Sequence, residues 1–390
     1  MPFQTRMTLL SLNFTRFLIA ASLLAGCTLP ARAELPVPPA PQIEARAWLM
    51  IDTASGKALA EKDADAKVEP ASLTKLMTAY LAFSAIKEGR LALGQSLPVS
   101  EKAWRAEGSR MFLDPKQPAV VEDLLKGMIV QSGNDACIVL AEAIAGTEEG
   151  FATMMNGMAK KLGMSATNYL NATGLPHPRH ITTARDLSRL VNALIRDFPE
   201  FYKIYALKEF AYNGITQPNR NRLLFIDPSV DGVKTGHTDS AGYCLIASAR
   251  RDKRRLLSIV LGAKSDAARA TESQKLLNYG FQFFETVQFY PANQTVSKLR
   301  LYKGRSGEVK AGFPDGLNVT VPRGGSKRLQ AQMITQQPLL APIARGQKLG
   351  TLRLTLDGAP VGDYPLLALE KIEVAGILGR GWDNILLLFK

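Results

Sequence analysis

The order of hydrophobic periodicities restricts the fold of this chain more than any other feature. Ala47 to Ile51 and Ala58 to Lys62 flank a Thr53-Ala54-Ser55-Gly56 turn in the manner of a β-hairpin. A helix is expected after Pro70, with Leu73, Leu76, Met77, Tyr80 and Phe83 spaced for one buried face. Further helical spacing covers Val121 to Val130, Ala136 to Ala145, Phe151 to Leu162 and Ala184 to Arg196. Val230 to Val260 returns to strands, with turns at Thr238 to Gly242 and Arg251 to Lys253, and Arg269 to Glu285 closes the block as a helix. Strands early and late with helices between imply an α+β domain whose first and last strands share one antiparallel sheet flanked by helices.

The chain has 390 residues, room for two domains. The first domain is expected over 45–290. Beyond it, period-two segments at Leu299 to Tyr302, Leu317 to Val321, Leu329 to Ile334 and Thr351 to Leu356 are separated by Gly-containing turns, which predicts a small β-sandwich over 291–372. Leu378, Trp382, Ile385 and Phe389 then follow helical spacing, so 373–390 reads as an amphipathic helix lying on a membrane surface.

At the other end, Arg6 and Arg16 precede the apolar run Phe17 to Ala25, the pattern of a secretory leader over 1–33. Ala31-Arg32-Ala33 is the favoured cleavage site, and Leu24-Ala25-Gly26-Cys27 is a competing lipidation site. Pro-rich residues 34–44 follow as a linker. Cleavage at Ala33 removes three arginines and no acid, lowering the net charge from +13 to +10. An exported basic protein points to envelope lipid and wall polymer as partners, and away from nucleic acid. The three histidines (His177, His180, His237) and three cysteines (Cys27, Cys137, Cys244) have no ligand-like spacing, so neither metal nor cofactor is expected.

Three short motifs carry chemistry. Ser72 and Lys75 stand three residues apart at a helix start, so hydroxyl and amine share a face, and a buried lysine near another cation can serve as a base. Ser132-Gly133-Asn134 interrupts two helical patterns, with Asp135 able to cap the second; Ser132 can relay a proton and Asn134 can hold an amide. Lys234-Thr235-Gly236 lies in a strand, where Lys234 would lower the proton affinity of Lys75 and, with Thr235, attract a carboxylate, while Gly236 leaves room for a ligand backbone. The backbone N–H groups of Ser72 and His237 are candidates for an oxyanion hole.

The order and context of these motifs, with the stretches 69–78, 131–137 and 231–243, resemble the active-serine penicillin-recognising enzymes, specifically the low-molecular-mass penicillin-binding proteins that act as D-alanyl-D-alanine carboxypeptidases. The resemblance covers most of residues 45–390. It implies a transpeptidase-like fold and removal of the terminal D-alanine from peptidoglycan stem pentapeptides through an acyl-enzyme, with β-lactams as slowly released inhibitors. It implies Ser72 as nucleophile, Lys75 as base, Ser132 and Asn134 as relay and amide holder, and Lys234 with Thr235 at the carboxylate. Ser109, Arg220 and Arg269 match positions that line or support the family site. Where close relatives carry His-Gly-Leu this chain has Thr173-Gly174-Leu175, so that loop is assigned no catalytic group.

A class A β-lactamase would need a glutamate to hold the deacylating water, and none occurs between Glu149 and Glu200. Endopeptidase or transpeptidase action on the same site, and a non-catalytic wall-binding scaffold, are the alternative readings. Pairing of Cys137 with Cys244 is open at this level.

Overall fold

A computed structural model describes residues 37–335, 337–376 and Asp383. The secretory leader and most of the C-terminal amphipathic helix predicted above lie outside the described residues. Residues 40–390 are the unit that carries the elements below.

The α+β reading holds. Strands β1 (Ala47–Asp52), β2 (Ala58–Lys62), β3 (Val230–Thr238), β4 (Gly242–Arg251) and β5 (Arg254–Ala263) form one antiparallel sheet in the order β2-β1-β5-β4-β3. The expected sharing of early and late strands is the β1–β5 pairing, with Met50 opposite Ser258. Every residue of β1 is buried because both faces are covered, which explains its unbroken apolar run. Leu49 and Ile51 join the core under the helical block, whereas Trp48 and Met50 face the core shared with the helix Asp266–Phe283.

Helix α1 (Lys75–Lys87) follows a 3₁₀ turn, Ala71–Thr74. The sequence predicts one buried face for it; instead Lys75, Thr78, Ala79, Leu81, Ala82 and Ala85 are buried as well. A helix apolar all round belongs inside the domain, and α1 packs against α2 (Asn134–Ala145), α3 (Glu148–Lys161) and α4 (Ala184–Asp197). A hairpin absent from the sequence reading, Glu209–Tyr212 with Ile215–Pro218, turns at Asn213-Gly214, where both residues have positive φ.

The last helix, α5 (Asp266–Phe283), starts at its Ser265 cap, whose side chain accepts from Ala268 N–H at 3.0 Å. Strand Phe284–Tyr290 then pairs with Leu317–Pro322. A six-stranded sheet built on 295–302, 308–312, 329–335, 339–340, 348–356 and 359–368 packs with that pair around Val309, Val319, Leu352 and Leu366. The two regions are fastened at Asp52, whose carboxylate accepts from Arg254 Nε at 2.8 Å and Thr286 Oγ1 at 2.6 Å.

Candidate active site

The turn carrying Ser72 lies against the edge strand β3, and Gly236 permits that approach. A Cβ there would lie 3.1 Å from Pro70 O and 3.3 Å from Ala71 Cβ. Ala71 itself holds φ +47, a left-handed conformation that a non-glycine residue keeps only where its surroundings enforce it. Being an edge strand, β3 keeps one row of backbone groups outside the sheet ladder.

Lys75 Nζ lies 3.0 Å from Ser72 Oγ and donates to Thr173 O at 2.6 Å, and the side chain is almost wholly buried. Burial lowers its pKa to about 8, with the Arg220 guanidinium adding to the effect. Burial, with repulsion from the neighbouring Lys75 ammonium, also holds Lys234 well below the lysine range. Lys234 Nζ donates to Thr235 O at 3.2 Å.

The Thr173-Gly174 loop therefore contributes through its backbone, which residue identity does not reveal. Gly174 has φ +87, and a Cβ on it would fall 1.8 Å from Ala71 O, so only glycine lets this loop reach the catalytic turn. Behind it, Thr74 Oγ1 meets His180 Nε2 at 2.9 Å.

Ser132 ends a helical segment, Val121–Lys126 followed by a π turn at Gly127–Gln131, and sits at φ +63. Positive φ at a non-glycine next to a π turn is the kind of local strain found at functional positions. Asn134 opens α2, donating from Nδ2 to Glu107 O at 2.6 Å and from its backbone to Ser109 O at 2.7 Å. The expectation that Asp135 caps this helix is corrected: Gly133 precedes the first turn. From within that turn the Asp135 carboxylate accepts from the N–H of Met111 (3.0 Å), Phe112 (2.9 Å) and Leu113 (3.2 Å). It thereby fixes the loop that carries Ser109.

Ser72, Ser109, Ser132, Arg220, Thr235, Gly236, His237 and Arg269 line one cleft of about 470 Å³. Lys75, Asn134 and Lys234 are buried and are not among its lining residues. Asn219, Arg222, Tyr243 and Asp266 also line it and were missed by the sequence reading. Asp266 bridges Arg222 and Arg269, while no carboxylate pairs with Arg220 among the described residues. Arg269 Nη1 donates to Gly236 O at 3.1 Å, and the His237 ring packs on Tyr243 with centroids 4.0 Å apart. Cys137 and Cys244 are both free and buried, and burial pushes the Cys137 thiol up to about 12. No cluster suited to a metal occurs among the described residues.

A family profile described as D-alanyl-D-alanine carboxypeptidase matches residues 34–265, and one described as the C-terminal domain of penicillin-binding protein 5 matches 284–374. The D-alanyl-D-alanine carboxypeptidase DacC of Escherichia coli K12 is 46% identical over 358 residues, 90% of each chain. DacF of Bacillus subtilis, a D-alanyl-D-alanine carboxypeptidase, is 34% identical over 86% of this chain and 87% of its own. The crystal structure of penicillin-binding protein 5 from Haemophilus influenzae superposes with a TM-score of 0.82 at 39% identity, covering 86% of this chain and 99% of that one. Penicillin-binding protein D2 of Listeria monocytogenes in its ampicillin-bound form gives a TM-score of 0.58 at 34% identity, covering 63% of this chain and all of that one. With both profiles matched in register and relatives aligned along nearly the whole chain, this protein belongs to the D-alanyl-D-alanine carboxypeptidase family of serine penicillin-binding proteins.

Proposed function

We propose that the protein removes the terminal D-alanine from peptidoglycan stem pentapeptides, with Ser72 as nucleophile and neutral Lys75 as its base. The observation that carries this reading is the position of Lys75 Nζ, buried between Ser72 Oγ at 3.0 Å and Thr173 O at 2.6 Å. Thr173 O fixes one N–H of the amine and directs its lone pair toward the serine hydroxyl.

Ser72 Oγ attacks the carbonyl carbon of the penultimate D-alanine as its proton passes to Lys75 Nζ. Backbone N–H groups of Ser72 and His237 receive the oxyanion. The C–N bond then breaks, and Ser132 relays the proton from Lys75 Nζ to the departing amine of D-alanine, which leaves Lys75 neutral again. Water attacks the ester, regenerating Ser72 and releasing the shortened stem. Asn134 holds the acyl-side amide. Thr235 and Arg220 receive the terminal carboxylate, beside the buried amine of Lys234. A β-lactam enters as the same acyl donor, but its leaving group stays tethered, so the ester persists.

The paired test uses labelled penicillin and a D-Ala-D-Ala pentapeptide with the full-length protein. A covalent adduct on Ser72 and release of free D-alanine are expected, both lost in Ser72→Ala; no adduct and no D-alanine from the wild type would exclude the enzyme reading.

On this reading the protein is exported, cleaved after Ala33, and works at the periplasmic face of the inner membrane, held there by its C-terminal amphipathic segment. No helix among the described residues is long and apolar enough to cross a membrane. Deleting residues 377–390 should move the protein from the membrane to the soluble fraction; continued sedimentation with membranes would instead indicate a lipidated Cys27.

A further inference from the structure

We propose that a second groove, lined by Trp104 and Phe112, is a subsite for the saccharide end of the peptidoglycan substrate; this rests on the carboxypeptidase reading above. The groove encloses about 510 Å³, and Arg110 and Lys116 also line it. Trp104 is 42% exposed and Phe112 is 46% exposed, whereas Trp48 is 6% exposed.

Both rings stand on backbone fixed in advance. Phe112 holds φ +66, unfavourable for a bulky residue, under the hydrogen bonds of Met111, Phe112 and Leu113 N–H to Asp135. The 209–218 hairpin supports the same loop, with Gln217 Nε2 donating to Arg110 O at 3.2 Å. Trp104 ends a short helical turn whose Ser100 cap donates to Glu142 Oε1 at 3.0 Å, and whose Lys102 pairs with Glu148 at 2.9 Å. Exposed aromatic rings on a backbone tied to α2 and α3 form a preorganised platform, which lowers the ordering cost of binding.

Ser109 lines the catalytic cleft, and the next residue, Arg110, lines this groove. With its carboxylate at Thr235 and Arg220, a stem peptide can run from the cleft along the loop that begins at Ser109. Asn134 is bonded to Glu107 O and Ser109 O of the loop that leads to Phe112. The three upstream stem residues, extended, span roughly 10 Å before the sugar begins. The negative face of an aromatic ring attracts the C–H face of a pyranose, and Arg110 and Lys116 suit the carboxylates of an anionic glycopeptide. A protein or lipid partner would favour a broader apolar surface than one interrupted by Arg110, Asp114 and Lys116.

The test compares D-alanine release by the full-length protein from a pentapeptide with and without its disaccharide. The wild type should favour the disaccharide-bearing substrate roughly threefold to tenfold, mainly through KM. Trp104→Ala should erase that preference and Trp104→Phe should retain part of it, with penicillin acylation serving as the folding control. Equal rates on the two substrates in the wild type, or an equal loss on both in Trp104→Ala, would overturn the subsite. Absence of D-alanine from either substrate would instead overturn the carboxypeptidase reading.

Discussion

Replacing Lys75 by methionine is expected to slow acylation of Ser72 by penicillin roughly 10⁴-fold, the upper range for loss of a general base. The site is built for an amine that can be neutral: burial brings Lys75 to about 8, so an appreciable fraction lacks its proton near neutrality. Lys75→Arg separates charge from basicity. The guanidinium keeps the positive charge but does not give up a proton, so it should be nearly as inactive as methionine. Acylation measured with labelled penicillin reads both variants. An arginine variant within tenfold of wild type would mean that Lys75 acts as a fixed cation, and the proton path would have to be reassigned.

The largest structural effect is expected at Asp135. Its buried carboxylate accepts from Met111, Phe112 and Leu113 N–H and from Ala136 N–H at 3.0 Å. Asp135→Ala leaves several backbone donors without a partner in the interior, which costs about 3 to 5 kcal/mol. In a catalytic domain of this size that lowers Tm by roughly 10 °C, readable by calorimetry. Asp135→Asn should recover little, because half of its amide is a donor facing donors. The loop holding Ser109 is also freed, so acylation should fall along with stability. A loss below about 1 kcal/mol would show that the hairpin alone holds the 107–113 loop.

Much of this architecture is legible in the sequence because it depends on local pattern. The Ser72/Lys75 spacing places both groups on one face whatever lies around them, and the alternation in 230–260 marks strands whether or not their partners are known. Tertiary context governs the remainder. Helix α1 reads as one-sided because its alanines and Thr78 carry little hydrophobic signal, yet every residue from Lys75 to Phe83 is buried. Asp135 reads as a cap because that role is local, whereas three of the four N–H groups it accepts from lie more than twenty residues away. The contact from Lys75 to Thr173 O is made by a carbonyl, which every residue possesses, so the identity of residue 173 does not reveal it. The Asn213-Gly214 hairpin, by contrast, carried a signal in plain view, since that dipeptide favours the positive φ its turn requires. The Arg222, Asp266 and Arg269 cluster has no such signal, because its members meet only when α5 packs on β4 and β5.

The pH dependence of Ser72 acylation by penicillin tests the central claim most directly. Only the neutral amine accepts a proton, so the rate should rise with pH through a midpoint near 8 and fall away below it as Lys75 becomes charged. Arg220→Ala should move the midpoint upward, because a cation that disfavours the charged lysine has been removed. A rate that is flat from pH 6 to 10, or one that rises only near the ordinary lysine value of about 10.4, would contradict a neutral Lys75 as the base.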